Sequence, residues 1–146
     1  MEECEMSSSL RKILVVDSDV EDRKAAVEAL RAAGFGEPEG FQVVEREEIE
    51  GTTLVLAADH GFVAVITAWK SRNPKTGAYS LVDGLRLLEQ LRTHLVLRLR
   101  ALPVIINSHD PTLGKRIALP LARGVWKGRT PDDLPVALRE LLAEAP

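Results

Sequence analysis

The chain of 146 residues is long enough to bury one continuous core and short for a core plus a second folding unit. Its 45% hydrophobic and 28% charged content is that of an ordinary globular chain, and a net charge of −3 offers no broad attraction to nucleic acid or to an anionic membrane. One cysteine, Cys4, gives neither a disulfide framework nor a cysteine metal site, which fits a reducing cytoplasm.

Residues 1–10 are expected to be a flexible tail before a single domain over 11–146, and no apolar run approaches the length needed to span a bilayer. Ile13, Leu14, Val15 and Val16 form a short β-branched run of the kind that parallel sheets bury on both faces. Asp17, Ser18 and Asp19 can cap the helix that follows, whose apolar face carries Val20, Ala26, Val27, Leu30 and Ala33 up to a stop at Gly34. After a loop over 36–40, residues 41–44 predict a second strand and 49–58 a short, weakly amphipathic helix. Residues 62–66 predict a third strand, and the polar stretch 70–80, with Asn73, Pro74 and Gly77, a loop. Asp83 then opens a helix with Leu87, Leu88, Leu91 and Leu95 on one face, and Val104, Ile105 and Ile106 predict the fourth strand. Residues 115–122 are read as a helix kinked by Pro120, and Val125 with Trp126 as a minimal fifth strand. Thr130, Pro131 and Asp132 start a last helix along Leu134, Leu138, Leu141 and Leu142, with Pro135 blurring its first turn.

Strands alternating with helices require crossover connections. The expected fold class is therefore α/β, a doubly wound five-stranded parallel sheet flanked by helices, with functional groups gathered at the carboxyl ends of the strands. Those ends present Asp17 to Asp19, Thr67 to Trp69, Ser108 to Asp110 and Lys127.

Here the chain resembles the receiver domains of bacterial response regulators in two-component signalling, a flavodoxin-like (βα)5 fold. Ile13-Leu14-Val15-Val16-Asp17-Ser18-Asp19 is similar to the receiver opening, whose acidic pair helps hold magnesium. Asp83-Gly84-Leu85-Arg86-Leu87-Leu88 is similar to the start of the third helix, and Leu102 to Ser108 to the fourth strand with its terminal hydroxyl. Ala122-Arg123-Gly124-Val125-Trp126-Lys127 is similar to the fifth strand and its lysine, and Arg129 to Leu134 to the opening of the last helix.

The departures lie at one edge. Residues 62–66 laid over the family's third strand put either Thr67 or Ala68 at the phosphoacceptor, and neither side chain forms an acyl phosphate. No acid stands between Asp59 and Asp83 to supply the missing carboxylate. The second acid of the metal pair falls on Ser18; Asp17 and Asp19 alone would hold magnesium weakly, and helix capping explains them as well. The resemblance thus implies a degenerate phosphorylation pocket of Asp17, Ser18, Asp19, Thr67, Ala68, Ser108 and Lys127, with Lys127 neutralising Asp17. No cofactor is expected beyond weak magnesium.

The loop before Asp83 is longer than receivers have and carries Trp69, Lys70, Arg72, Lys75 and Tyr79, which with Trp126 are the partner-binding candidates; a tolerated insertion and simple packing are the plainer explanations. The expected function is a phosphorylation-independent receiver acting as a cytoplasmic protein-interaction module rather than an enzyme. The expected partner is a protein, such as a histidine kinase or an output protein, with no nucleic acid and no membrane. A homodimer stays open, although Pro120 and the short fifth strand alter the face receivers commonly use. The alternative is a haloacid dehalogenase-like phosphatase using Asp17 and Asp19, which lacks that family's later acidic motif. A relay within Ser108-His109-Asp110 is set aside, because consecutive side chains of an extended segment point in opposite directions.

Overall fold

The computed structural model describes residues 10–70, 72, 75–79 and 82–146. Of the expected tail only Leu10 falls in this set, and Asn73, Pro74 and Ser80 of the predicted loop lie outside it. Strands β1 (Arg11–Val16), β2 (Phe41–Arg46), β3 (Phe62–Ala68), β4 (Val104–Ser108) and β5 (Ala122–Trp126) form one sheet in the order β2-β1-β3-β4-β5. All four pairings are parallel.

The period-two alternation of each strand sorts its side chains into two cores. Ile13, Val15, Ala64, Ile66, Ile105 and Val125 face helices α1 (Val20–Ala32) and α5 (Thr130–Glu144), which contribute Ala26, Val27, Leu30, Leu134, Leu138 and Leu141. Leu14, Val16, Val65, Val104 and Ile106 face α2 (Thr52–Ala58), α3 (Gly84–Arg92) and α4 (Leu97–Arg100), which contribute Leu56, Leu87, Leu88, Leu91 and Leu99. This is the doubly wound parallel α/β fold expected from the alternation. Among the described residues no helix is long and apolar enough to cross a membrane.

Several elements differ from their predicted form. The helix expected over 115–122 is absent: a 3-10 turn at Leu113–Arg116 is all that covers the crossover from β4 to β5. Gly114 lies so close to Gly124 that a Cβ on Gly124 would come within 2.8 Å of the Gly114 Cα. Backbone sits directly on backbone, leaving no room for a helix there. Leu121 then takes a left-handed conformation at φ 55°, and Arg92 of α3 donates to the Pro120 and Leu121 carbonyls at 2.9 and 3.0 Å. With this segment extended, β5 begins at Ala122 and is five residues long.

The helix predicted over 49–58 starts only at Thr52, because Gly51 holds φ 79° immediately before it. α3 ends at Arg92, so Leu95 is not on its buried face but 90% exposed, and the unpredicted α4 buries Leu99 in its place. β3 runs two residues further than expected, to Ala68, since Thr67 and Ala68 both continue the ladder with β4. Pro135 lies within α5 and is buried; only one intrahelical donor is lost there.

Candidate functional site

Every strand carboxyl end opens toward the same edge, where an open cleft of about 670 Å³ is lined by residues of all the loops that follow β1, β3, β4 and β5. Asp17 comes first after β1. Its amide donates to the Arg46 carbonyl at 3.0 Å, and Arg23, itself buried, donates to the Asp17 carbonyl at 2.6 Å. The backbone is thereby fixed and the side chain directed into the cleft floor. Asp17 Oδ1 accepts from the Asp19 amide at 2.9 Å, and Oδ2 accepts from Lys127 Nζ at 2.8 Å. Asp19 Oδ1 accepts from the Asp22 amide at 3.0 Å, as an N-cap does.

Asp22, in the first turn of α1, accepts from Lys127 Nζ at 3.0 Å, and its Oδ2 lies 3.0 Å from His109 Nε2. Lys127 therefore stands between two carboxylates, with its side chain 10% exposed and that of Asp17 7%. Burial by itself would lower the lysine's pKa, but the hydrogen bonds and charges of Asp17 and Asp22 reverse this and hold it above its ordinary value. Burial likewise would raise Asp22, yet Lys127 and then His109 keep its carboxyl below the ordinary range.

Thr67 and Ala68 lie beneath this cleft rather than on its wall; both are fully buried, and the Thr67 hydroxyl donates to the Ala68 carbonyl at 2.9 Å. The register pairs Val15 with Ile66 and Val16 with Thr67. Continued by one residue, it puts Ala68 beside Asp17 on the same face, while Thr67 points to the opposite core.

The long loop leaves and returns at one point. The Gly84 amide donates to the Trp69 carbonyl at 2.6 Å, and a Cβ on Gly84 would overlap the Ala68 carbonyl oxygen. Asp83 caps α3 through the Arg86 amide at 2.8 Å, so the strand end meets the helix start as if the insertion were not there. The extruded segment leans over the cleft: the Arg72 amide donates to Ser18 Oγ at 3.2 Å, and Arg72 forms an isolated antiparallel bridge with Tyr79.

Of the residues singled out in the sequence, Asp17, Ser18, Asp19, Ser108 and Lys127 share the cleft with Trp69, Lys70, Arg72 and Tyr79. Lys75 is exposed on the loop and does not line it. Trp126 does not line it either: 42% exposed, it lays its indole against Gly128 at the end of β5. Sequence reasoning missed Asp22, Asn107 and the contact made by His109. The signal for Asp22 was its position three residues after the capping Asp19, which sets it in the first helical turn at the same end of the sheet. Ser108 Oγ accepts from the Asp110 amide at 2.9 Å while His109 turns to Asp22, so the consecutive triplet makes no relay.

The pocket does not fit a magnesium ion as it stands. The Asp17 oxygens are taken by the Asp19 amide and Lys127, Asp19 caps α1, and no described group of three or more acidic, histidine or cysteine side chains is arranged to hold a metal.

No family model and no curated protein matches this sequence. Solved structures do. The receiver domain of the stress response regulator RcsB from Escherichia coli superposes with a TM-score of 0.67 at 19% identity, over 93% of this chain and 95% of that one. A response regulator receiver protein from Sinorhizobium medicae gives 0.69 at 18%, over 92% and 95%. The chain has the receiver fold. Against the RcsB response regulator of Salmonella typhimurium the match covers 94% of this chain but only 62% of that one, with a TM-score of 0.65 at 20% identity. The receiver fold thus accounts for the isolated domains in full and for part of the longer regulator. RcsB has also been solved as dimers bound to DNA, so the expectation that nucleic acid is no partner gains nothing from these neighbours.

Proposed function

We propose that this receiver fold serves two-component-type signalling without being phosphorylated, as a protein-interaction module. The observation that carries the reading is the Lys127 ammonium held between Asp17 and Asp22, with Ala68 at the adjacent position of β3 where a phosphoacceptor carboxylate would be needed. Receiver chemistry requires a carboxylate nucleophile and a hard cation beside it. Here an internal cation fills the acidic pocket, and no acid lies between Asp59 and Asp83. The Lys127 ammonium, bonded to both carboxylates, already supplies the pocket with a cation, so the reading assigns it no cofactor and no metal, and the conformation is set by a partner through differential affinity.

The partner is a protein, a histidine kinase or an output protein in class, met in the cytoplasm through the loop residues Trp69, Lys70, Arg72, Lys75 and Tyr79 or through Trp126. Nucleic acid and membrane play no part in the reading for residues 10–146, and a homodimer is compatible with it. Output comes from that partner or from further chain, as in the longer regulators. The phosphatase alternative has nothing in its favour, because its nucleophile, Asp17, is tied to Lys127 and its acid, Asp19, caps a helix.

The test is incubation with acetyl phosphate and magnesium followed by intact mass measurement. An unchanged mass is expected. An acid-labile adduct of one phosphoryl group would overturn the reading, and turnover of an aryl phosphate that disappears in Asp17→Asn would put the phosphatase in its place.

A further inference from the structure

Two departures from the receiver pattern, the long loop after β3 and the missing helix after β4, meet at Trp69. The crossover to β5 lies against Gly124, and the 3-10 turn at Leu113–Arg116 places the exposed Arg116 with its Cζ 5.5 Å from the centre of the Trp69 ring. From the loop side Lys70 Nζ stands 4.8 Å from the same ring and 5.7 Å from that of Tyr79. Arg72 lies 4.5 Å from the Tyr79 ring and donates from Nη2 to its hydroxyl at 2.9 Å, a bond that lowers the phenol's pKa.

Three cations are thus arrayed around two aromatic rings at the mouth of the cleft, in a chain whose net charge is negative. None of Lys70, Arg72 and Arg116 is ion-paired with a described carboxylate, although every acidic residue of the cleft is within the same edge. Asp110, the acid that feels Arg116, is taken up by the Thr112 amide and hydroxyl at 2.9 and 2.7 Å. A guanidinium or ammonium held against a ring keeps its outward N–H groups free for carboxylates, and its side-chain freedom is already spent.

We infer that the rim formed by Lys70, Arg72 and Arg116 over Trp69 and Tyr79 is a docking site for an acidic, carboxylate-bearing peptide segment of a protein partner. Single-stranded nucleic acid fits it less well. Bases bind such surfaces by stacking on open aromatic faces, whereas here each ring already carries two cations. A continuous phosphate backbone would also pass the carboxylates of Asp19 and Asp110 in the same cleft, while a peptide can space its acids to meet only the rim. The inference rests on the domain being a protein-binding module and names the chemistry of what it binds.

The experiment measures fluorescence anisotropy of a labelled peptide of alternating Glu and Gly, with an alternating Lys and Gly peptide and single-stranded oligothymidylate as comparators. The full chain should bind the acidic peptide preferentially, with affinity falling as salt rises. Lys70→Glu and Arg116→Glu should each weaken it at least about tenfold, and Arg31→Glu, at the far end of α1, should leave it unchanged. Where a charge reversal alters the far-ultraviolet circular dichroism, Lys70→Gln and Arg116→Gln replace it and should weaken binding in the same direction. Equal binding of the two peptides, insensitivity to these substitutions, or tighter binding of oligothymidylate would each overturn the inference. A phosphoryl adduct with peptide binding intact refutes only the phosphorylation-independent reading; no adduct and no peptide binding refutes only the docking site.

Discussion

Lys127→Met removes the ammonium while keeping an unbranched apolar stem of similar length. Breaking a buried ion pair from one side costs about 3–5 kcal/mol, because the remaining charge stays buried without its partner. Asp17, whose side chain is 7% exposed, is the charge left behind, with Asp22 at 24% sharing the loss. Asp17 keeps the Asp19 amide on Oδ1 and borders an open cleft from which water can approach Oδ2. Both features reduce the penalty, so the lower figure of about 3 kcal/mol applies. For a chain of this size that corresponds to a fall in Tm of roughly 6–12 °C. Differential scanning calorimetry reads it directly, and Lys127→Met with Asp17→Asn should recover more than half of the loss, since the more deeply buried of the two carboxylates left without the lysine is then neutral. Millimolar magnesium should raise the Tm of Lys127→Met and not that of the parent, because only the variant frees Asp17 Oδ2, and the lysine side of Asp22 Oδ2 that His109 does not cover, for a cation. A Tm within about 1 °C of the parent, or magnesium stabilising both proteins alike, would refute the assignment of Lys127 as the pocket's internal cation.

Gly84→Ala sets a methyl group on the Ala68 carbonyl oxygen and should destabilise by about 1–3 kcal/mol in urea unfolding, since the obstacle is backbone and cannot swing away. Gly124→Ala presses on the Gly114 backbone and should cost a similar amount, about 1–3 kcal/mol; a neutral result at either site would show that the two loops are not held as described. Acid and alkaline limbs of stability should both involve the cleft. Asp22, lowered from an ordinary 3.8, contributes fully above that value and loses its contribution as pH falls through the lower folded one. Lys127, raised from 10.5, contributes fully below that value and loses its contribution as pH rises through the higher folded one. Urea midpoints between pH 2 and 12 should therefore change less steeply at both ends in Lys127→Met than in the parent.

Much of the architecture was legible because it is written in local periodicity. The apolar runs at Ile13 to Val16 and Val104 to Ile106 can only be strands covered on both faces, and Asp19 and Asp83 mark helix starts by the same capping chemistry that the structure displays. The fourth crossover failed for an equally physical reason. Lys115 to Ala122 has helix-compatible composition, but Gly114 and Gly124 allow the two backbones to touch, and that contact links residues ten apart whose proximity no local pattern records. Leu95 was misplaced because an apolar residue at helical spacing carries no mark of where the helix stops; Thr93 ends it one turn early. In the cleft, Asp17 and Lys127 could be paired from strand-end reasoning, whereas Asp22 and His109 come together only because α1 and the loop after β4 approach the same point from opposite sides of the sheet.

The sequence by itself determined the parallel α/β layering, the chain order of its five strands and the lack of an acid between Asp59 and Asp83, since these depend on residue type and spacing along the chain. Only the tertiary structure decided that Ala68 rather than Thr67 stands beside Asp17, because one residue of register reverses the face of a strand side chain. It alone also brought Arg116 to Trp69: the meeting depends on how far a shortened crossover sinks onto the next strand, a quantity fixed by packing between distant segments rather than by either segment's own composition.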